Sequence, residues 1–146
     1  MKKYLLVELF LFIIVLIGLI FAVSYMENRN TNTSGTVVLK TFSDLSPTQF
    51  NQALSSGKFK LIDVRTADEY NAGHLKNAKD ADFYQTQKFV SFLESLDKNG
   101  KYFVYCRTGI RSGQALKLMQ KIGFKTVYDL AGGYNAWVSS SLPVEK

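Results

Sequence analysis

From Leu5 to Val23 the chain is apolar except at Glu8 and Gly18, and the uninterrupted part, Leu9 to Val23, is hydrophobic on every face, not along one stripe. Its length falls between the apolar region of a signal peptide and the roughly 20 residues a spanning helix needs. Lys2 and Lys3 precede it, and basic residues tend to stay on the cytoplasmic side. Residues 1–26 are therefore expected to form a membrane helix acting as a signal-anchor with the N-terminus inside. The alternative is a cleaved signal peptide, with Ala22 and Ser24 as the small pair at the cut. Residues 27–35, ENRNTNTSG, have no large apolar side chain with which to order themselves and read as a flexible linker. The domain that follows, 36–146, is thus expected outside the cytoplasm, tethered to the membrane, or secreted or periplasmic if the leader is removed.

Within 36–146, short apolar runs alternate with helical patterns, the signature of an α/β domain with a mostly parallel sheet. Val37-Val38-Leu39 is a first strand candidate. Ser46 caps a helix through about Ser56, with Pro47 in its first position and Phe50, Ala53 and Leu54 on its apolar face. Lys60 to Arg65 reads as a strand and Asp68 to Asn71 as a helical turn. Gln85 to Lys98 carries Phe89, Phe92, Leu93 and Leu96 at helical spacing until Asn99-Gly100. Tyr102 to Tyr105 is a buried strand. Ser112 to Ile122 has Ala115, Leu116, Met119 and Ile122 on one face and stops at Gly123. Thr126 to Leu130 is a further strand, and Gly132-Gly133 turns into a closing helix over Tyr134 to Val138.

Composition changes this picture little. From residue 36 onward there are 15 basic and 10 acidic side chains, a modest surplus that raises the local concentration of anions without choosing among them. The basic residues are scattered, with no helical array and no interleaved exposed aromatics, so nucleic acid is not an expected partner. The single cysteine, Cys106, excludes an intramolecular disulfide and a cysteine-based metal cluster.

Cys106 stands where a strand gives way to a loop and then a helix, the place where open α/β sheets present their ligands. In Cys106-Arg107-Thr108-Gly109-Ile110-Arg111-Ser112, Gly109 permits a tight bend. Successive backbone N–H groups can then point inward as an anion cradle. The positive end of the following helix, together with Arg107 and Arg111, favours thiolate over thiol. No metal and no cofactor is required by this arrangement.

The segment YFVYCRTGIRSGQA resembles the active-site loop of the rhodanese superfamily. LIDVRTADEYNAGHL, Leu61 to Leu75, and VYDLAGGYNAW, Val127 to Trp137, are similar to the family's upstream and closing signatures. The resemblance covers about residues 36–146 and looks nearest to its short, exported, single-domain members of the phage-shock type. It implies a rhodanese-like three-layer domain, a central mostly parallel sheet flanked by helices. It also implies a sulfurtransferase in which Cys106 takes a sulfane sulfur from a small anionic donor such as thiosulfate and passes it as a persulfide to a thiophilic acceptor, cyanide or a thiol. Arg107, Thr108, Gly109, Ile110, Arg111 and Ser112 would bind the donor and the persulfide, although Arg111 could brace the loop instead. Asp63, Arg65 and Glu69 would support it, with Arg65 reaching Glu69 four residues on. His74 is expected to pack in a turn. Two alternatives remain: a persulfide carrier or interaction domain, and a phosphatase or arsenate reductase of the same fold. The related phosphatases place five residues between cysteine and arginine, and here four intervene. The segment Leu75 to Asp80 departs from the family pattern, in which a proline-glycine turn is commoner.

Overall fold

The computed structural model describes residues 41–146. The apolar segment 1–26, the linker 27–35 and the strand candidate Val37-Val38-Leu39 lie outside the described residues. Among those described, no helix is long and apolar enough to cross a membrane.

Five parallel strands form the centre: β1 (Phe42–Leu45), β2 (Lys60–Asp63), β3 (Lys79–Asp80), β4 (Lys101–Tyr105) and β5 (Thr126–Leu130), in the order β1-β5-β4-β2-β3. The helices are α1 (Pro47–Leu54), α2 (Ala67–Asn71), α3 (Thr86–Glu94), α4 (Ile110–Lys121) and α5 (Gly133–Ser139). A strand covered on both faces reads as a continuous apolar run, as Tyr102 to Tyr105 does, and Val127 to Leu130 follows the same pattern except at Asp129.

Side chains alternate across β4. Tyr102, Val104 and Cys106 face the layer of α3 and α4, where Phe89, Leu93, Ala115 and Met119 meet them. Phe103 and Tyr105 face the opposite layer with Phe50 of α1 and Trp137 of α5. Phe103 is fully buried between Phe50 and Phe59, with ring centroids 4.5 and 4.2 Å away. Each such buried large apolar side chain contributes roughly 1.5–3 kcal/mol. The sheet is thus the middle of three layers, as expected.

Most boundaries agree with the sequence reading, and the exceptions are informative. At α1, Ser46 accepts from the Gln49 N–H while the Gln49 side chain accepts from the Ser46 N–H, a closed capping box ahead of Pro47. β2 stops at Asp63, leaving Val64 and Arg65 beyond the strand end. α4 begins at Ile110, not Ser112, because Gly109 takes a left-handed φ of 95° and turns the chain directly into the helix. In the segment lacking proline and glycine, Asn77 adopts φ 62°, and the Ala78 N–H donates to the Leu75 carbonyl at 3.0 Å. Asparagine tolerates the left-handed region, so it supplies the turn that glycine would otherwise make.

Candidate active site

The carboxyl ends of β2, β4 and β5 come together at one edge of the sheet. Cys106 follows β4 and is 1% exposed. Its Sγ accepts from the Gly109 N–H at 3.1 Å and from the Ser112 hydroxyl at 3.4 Å. α4 has no capping side chain at Gly109, so the cysteine sulfur fills the position an N-cap oxygen would take.

The peptide directions follow from contacts on the far side of the loop. The Tyr134 N–H donates to the Cys106 carbonyl at 2.7 Å, and the Asn135 N–H to the Arg107 carbonyl at 3.1 Å. The C=O and N–H of one peptide unit point in opposite directions. Drawing these two carbonyls toward α5 therefore turns the attached N–H groups to the other side of the loop, where that of Thr108 bears on the sulfur. Gly133 makes this possible: at φ 61°, a Cβ on it would collide with the Cys106 carbonyl oxygen and lie 2.7 Å from the Thr108 nitrogen.

Burial pushes the Cys106 thiol up. The Ser112 hydroxyl and the backbone N–H groups of Ser112, Thr108 and Gly109 oppose that, and the net result is a thiol below its ordinary value. The arrangement stabilises a sulfur anion mainly with neutral donors.

The arginines divide. Arg107 and Thr108 are exposed at the rim, and the Ile110 side chain also points outward, 71% exposed. Arg111 is not free: its Nη1 and Nη2 donate to Glu69 Oε2 and Oε1 at 2.7 and 2.9 Å, and its guanidinium lies 5.3 Å from the Tyr84 ring centre. Of the two roles considered for Arg111, this geometry fits bracing. Glu69 also closes a capping box with Thr66 at the start of α2. The Arg111 guanidinium holds its carboxyl down at about 2 against the opposing effect of burial.

The expected Arg65–Glu69 pair is corrected. Arg65, 3% exposed, pairs with Asp63 instead, Nη2 to Oδ2 at 2.6 Å, and its Nη2 also donates to the Gly73 carbonyl at 2.7 Å. Its guanidinium stacks 4.1 Å from the centre of the Tyr134 ring. Both charges are out of water, so each selects the nearest partner that satisfies its geometry, and Asp63 additionally accepts from the Arg65 backbone N–H. The pair ties the end of β2 to the first turn of α5. His74 stacks on Tyr70 at 3.9 Å and bridges to Glu145 through the backbone, as a packing residue would.

One buried charge-bearing group escaped the sequence reading. Asp129 sits in β5 at 3% exposure, and burial pushes its carboxyl up to about 7. The available signal was an acidic residue inside the otherwise apolar run Val127 to Leu130. A cavity of about 730 Å³, lined by Leu54, Phe59, Leu61, Phe92 and Trp137 among others, receives nothing from residues 106–112.

A buried cysteine held by backbone N–H groups at a strand end, in a three-layer parallel α/β domain, defines a thiolate-centred anion-cradle protein. Residues 46–140 match the model of the rhodanese-like domain, and the chain belongs to that family. It is 29% identical over 107 residues to the thiosulfate sulfurtransferase GlpE of Actinobacillus pleuropneumoniae, covering 73% of this chain and 95% of that protein. It is 39% identical over 103 residues to the tRNA uridine(34) hydroxylase of Buchnera aphidicola, covering 66% of this chain but only 32% of that protein. Among solved structures, the rhodanese-like domain of an Anabaena protein superposes with a TM-score of 0.62 at 28% identity, over 70% of this chain and 77% of that one.

Proposed function

We propose that the protein is a thiosulfate-type sulfurtransferase working through a Cys106 persulfide. The Cys106 thiolate attacks the outer sulfur of thiosulfate, a new S–S bond forms, and the donor's own S–S bond breaks with its electron pair leaving on sulfite. A thiophilic acceptor, cyanide or a thiol, then attacks the outer sulfur of the persulfide, and the Cys106 thiolate departs. Arg107 at the rim attracts the anionic donor, and the N–H groups of residues 108, 109 and 112 hold the sulfur anion in both states.

The observation that carries this reading is the sulfur itself, sitting as the cap of α4 with donors from Gly109 and Ser112 and an acidity raised by them. The likeness to GlpE over nearly its whole length supports the same chemistry. Engagement of Arg111 by Glu69 argues against a phosphatase or arsenate reductase, which needs that guanidinium for a tetrahedral oxyanion. The decisive test is intact-mass measurement of the full chain, purified in mild detergent, after incubation with thiosulfate, followed by thiocyanate release on adding cyanide. A gain of one sulfur that disappears in Cys106→Ala supports the proposal. No adduct and no thiocyanate refute it in favour of a carrier or interaction domain.

We also propose that residues 1–26 anchor the domain on the extracytoplasmic face, with 27–35 as its tether. The apolar run behind Lys2 and Lys3 supports this. N-terminal sequencing of the mature protein should find the leader intact, and a chain beginning at Tyr25 would overturn the anchor.

A further inference from the structure

Asp129 occupies a position where a carboxylate has little company. It pairs in register with Val104 of β4 and Asp44 of β1, and its Oδ1 has no hydrogen-bond partner among the described residues. Its Oδ2 lies 3.6 Å from the point a Cβ on Gly113 would occupy, so the carboxyl is tucked beneath the first turn of α4. The polar groups that bear on it are the Ser112 hydroxyl from α4, the Asp44 carboxylate from β1 and the backbone N–H of Leu130. No lysine or arginine is among them.

Ser112 is fully buried and has one hydroxyl hydrogen to give. Two acceptors compete for it: the Cys106 sulfur at 3.4 Å and the Asp129 carboxyl. A protonated Asp129 donates to Ser112 Oγ, and the hydroxyl hydrogen is then available to sulfur. An ionised Asp129 is the stronger acceptor and takes that hydrogen, so the thiolate loses a donor and gains a second anion behind it.

We propose that Asp129 is a positioning residue that acts through Ser112, steering the hydroxyl hydrogen onto the Cys106 sulfur when protonated and withdrawing it when ionised. The inference rests on Cys106 being the reactive thiolate. Burial, together with the Asp44 charge, holds the Asp129 proton to about pH 7, so the steering operates near neutrality. Cys106 and Asp129 then titrate as a coupled pair, and the sulfur anion is held best below the Asp129 transition. Arg111, whose charge also bears on Cys106, stays engaged by Glu69 through this range.

The test is a pH titration of thiolate ultraviolet absorbance on the full chain in mild detergent, with the Cys106→Ser signal subtracted. Cys106 is the only cysteine, so the signal reports on it alone, and no sulfur donor is involved. Failure of sulfur transfer would therefore leave this readout intact. The wild type should titrate in two steps. Asp129→Asn, whose amide donates to Ser112 permanently, should give one step with an acidity constant about fivefold higher, the worth of one hydrogen bond. Ser112→Ala should bring the two steps closer together, leaving only the repulsion between the two anions, and adding Asp129→Asn to it should shift the thiolate clearly less than in the wild-type background. An Asp129→Asn curve that overlays the wild type, or an equal shift with and without the Ser112 hydroxyl, would overturn the proposal. Should Asp129→Asn not fold, Ser112→Ala decides alone: two steps separated as widely as in the wild type refute the role.

Discussion

Gly133→Ala is the most discriminating perturbation of the cradle, because the residue lies outside the loop it shapes. The native φ of 61° is one that alanine enters at a cost of about 1–2 kcal/mol. The added methyl would collide with the Cys106 carbonyl oxygen and approach the Arg107 carbonyl carbon and Thr108 nitrogen to 2.7 Å, and backbone atoms cannot swing aside as a side-chain tip can. Relief requires separating the loop from α5, which weakens the Tyr134 and Asn135 N–H bonds to it, each worth about 1 kcal/mol. The expected loss of stability is about 3 kcal/mol, read from urea unfolding. Once the two carbonyls are released, the N–H groups no longer converge on Sγ. A misplacement approaching 1 Å at such a site can cost about a hundredfold, so sulfur loading followed by quench and intact mass should slow by that order. Gly123→Ala is the control: its φ of 98° carries similar strain, but a Cβ there meets nothing within 4 Å. It should lose about 1–2 kcal/mol and load sulfur at the wild-type rate. Wild-type loading by Gly133→Ala, or equal slowing in both variants, would refute the claim that α5 orients the cradle.

Two further outcomes follow from the two carboxyls whose acidity is shifted, Glu69 and Asp129. Glu69 is held at about 2 against 4.5 in the free side chain by Arg111 first, so its contribution is present above about pH 4.5 and is lost as pH falls toward 2. The carboxylate is 26% exposed, which cuts the full linkage value to about 1–2 kcal/mol. Glu69→Gln should therefore lower the urea midpoint at pH 7, and the gap should narrow in acid; a gap independent of pH contradicts the pairing. Asp129 has the opposite sign: with its folded value near 7 against 3.8, the folded state binds the proton more tightly and loses stability as pH rises between those values. Removing that loss with Asp129→Asn should stabilise the protein at pH 8 by on the order of 2–4 kcal/mol and have little effect at pH 4. Thermal unfolding at the two pH values checks it, and equal effects at both would count against a buried, protonated Asp129.

What could be read from the sequence was whatever local pattern dictates. The apolar run ending on Cys106, the Ser46-Pro47 start of α1 and the strand Thr126 to Leu130 all declare themselves within a few residues. β3 could not be seen, since it is two residues long with both side chains exposed and no hydrophobic periodicity. β1 is not legible because Phe42–Leu45 has apolar residues only at its two ends, with no strand alternation between them. The start of α4 lies two residues ahead of Ser112, because the apolar face that marks the helix begins only at Ala115 while the left-handed Gly109 opens it at Ile110. Arg111 and Glu69 are 42 residues apart, and only the fold brings them together.

The cradle's design explains why its arginines matter less to the thiolate than their number suggests. Arg111 is neutralised by Glu69 and Arg65 by Asp63, so the fixed positive charge beside the sulfur is smaller than the sequence implies. What remains is a set of oriented dipoles, and dipoles act only if they cannot turn away. Orientation is therefore built into the scaffold. α5 pulls two carbonyls outward, and Gly133 lets it approach close enough to do so. Arg65, with the buried Asp63 behind it, stacks on the Tyr134 ring and so fixes the first turn of α5 against the end of β2. Glu69 fixes Arg111 and with it the first turn of α4. Donors held in this way would not need to reorganise if the sulfur anion moved outward by one atom as a persulfide, the property that the proposed sulfur transfer requires.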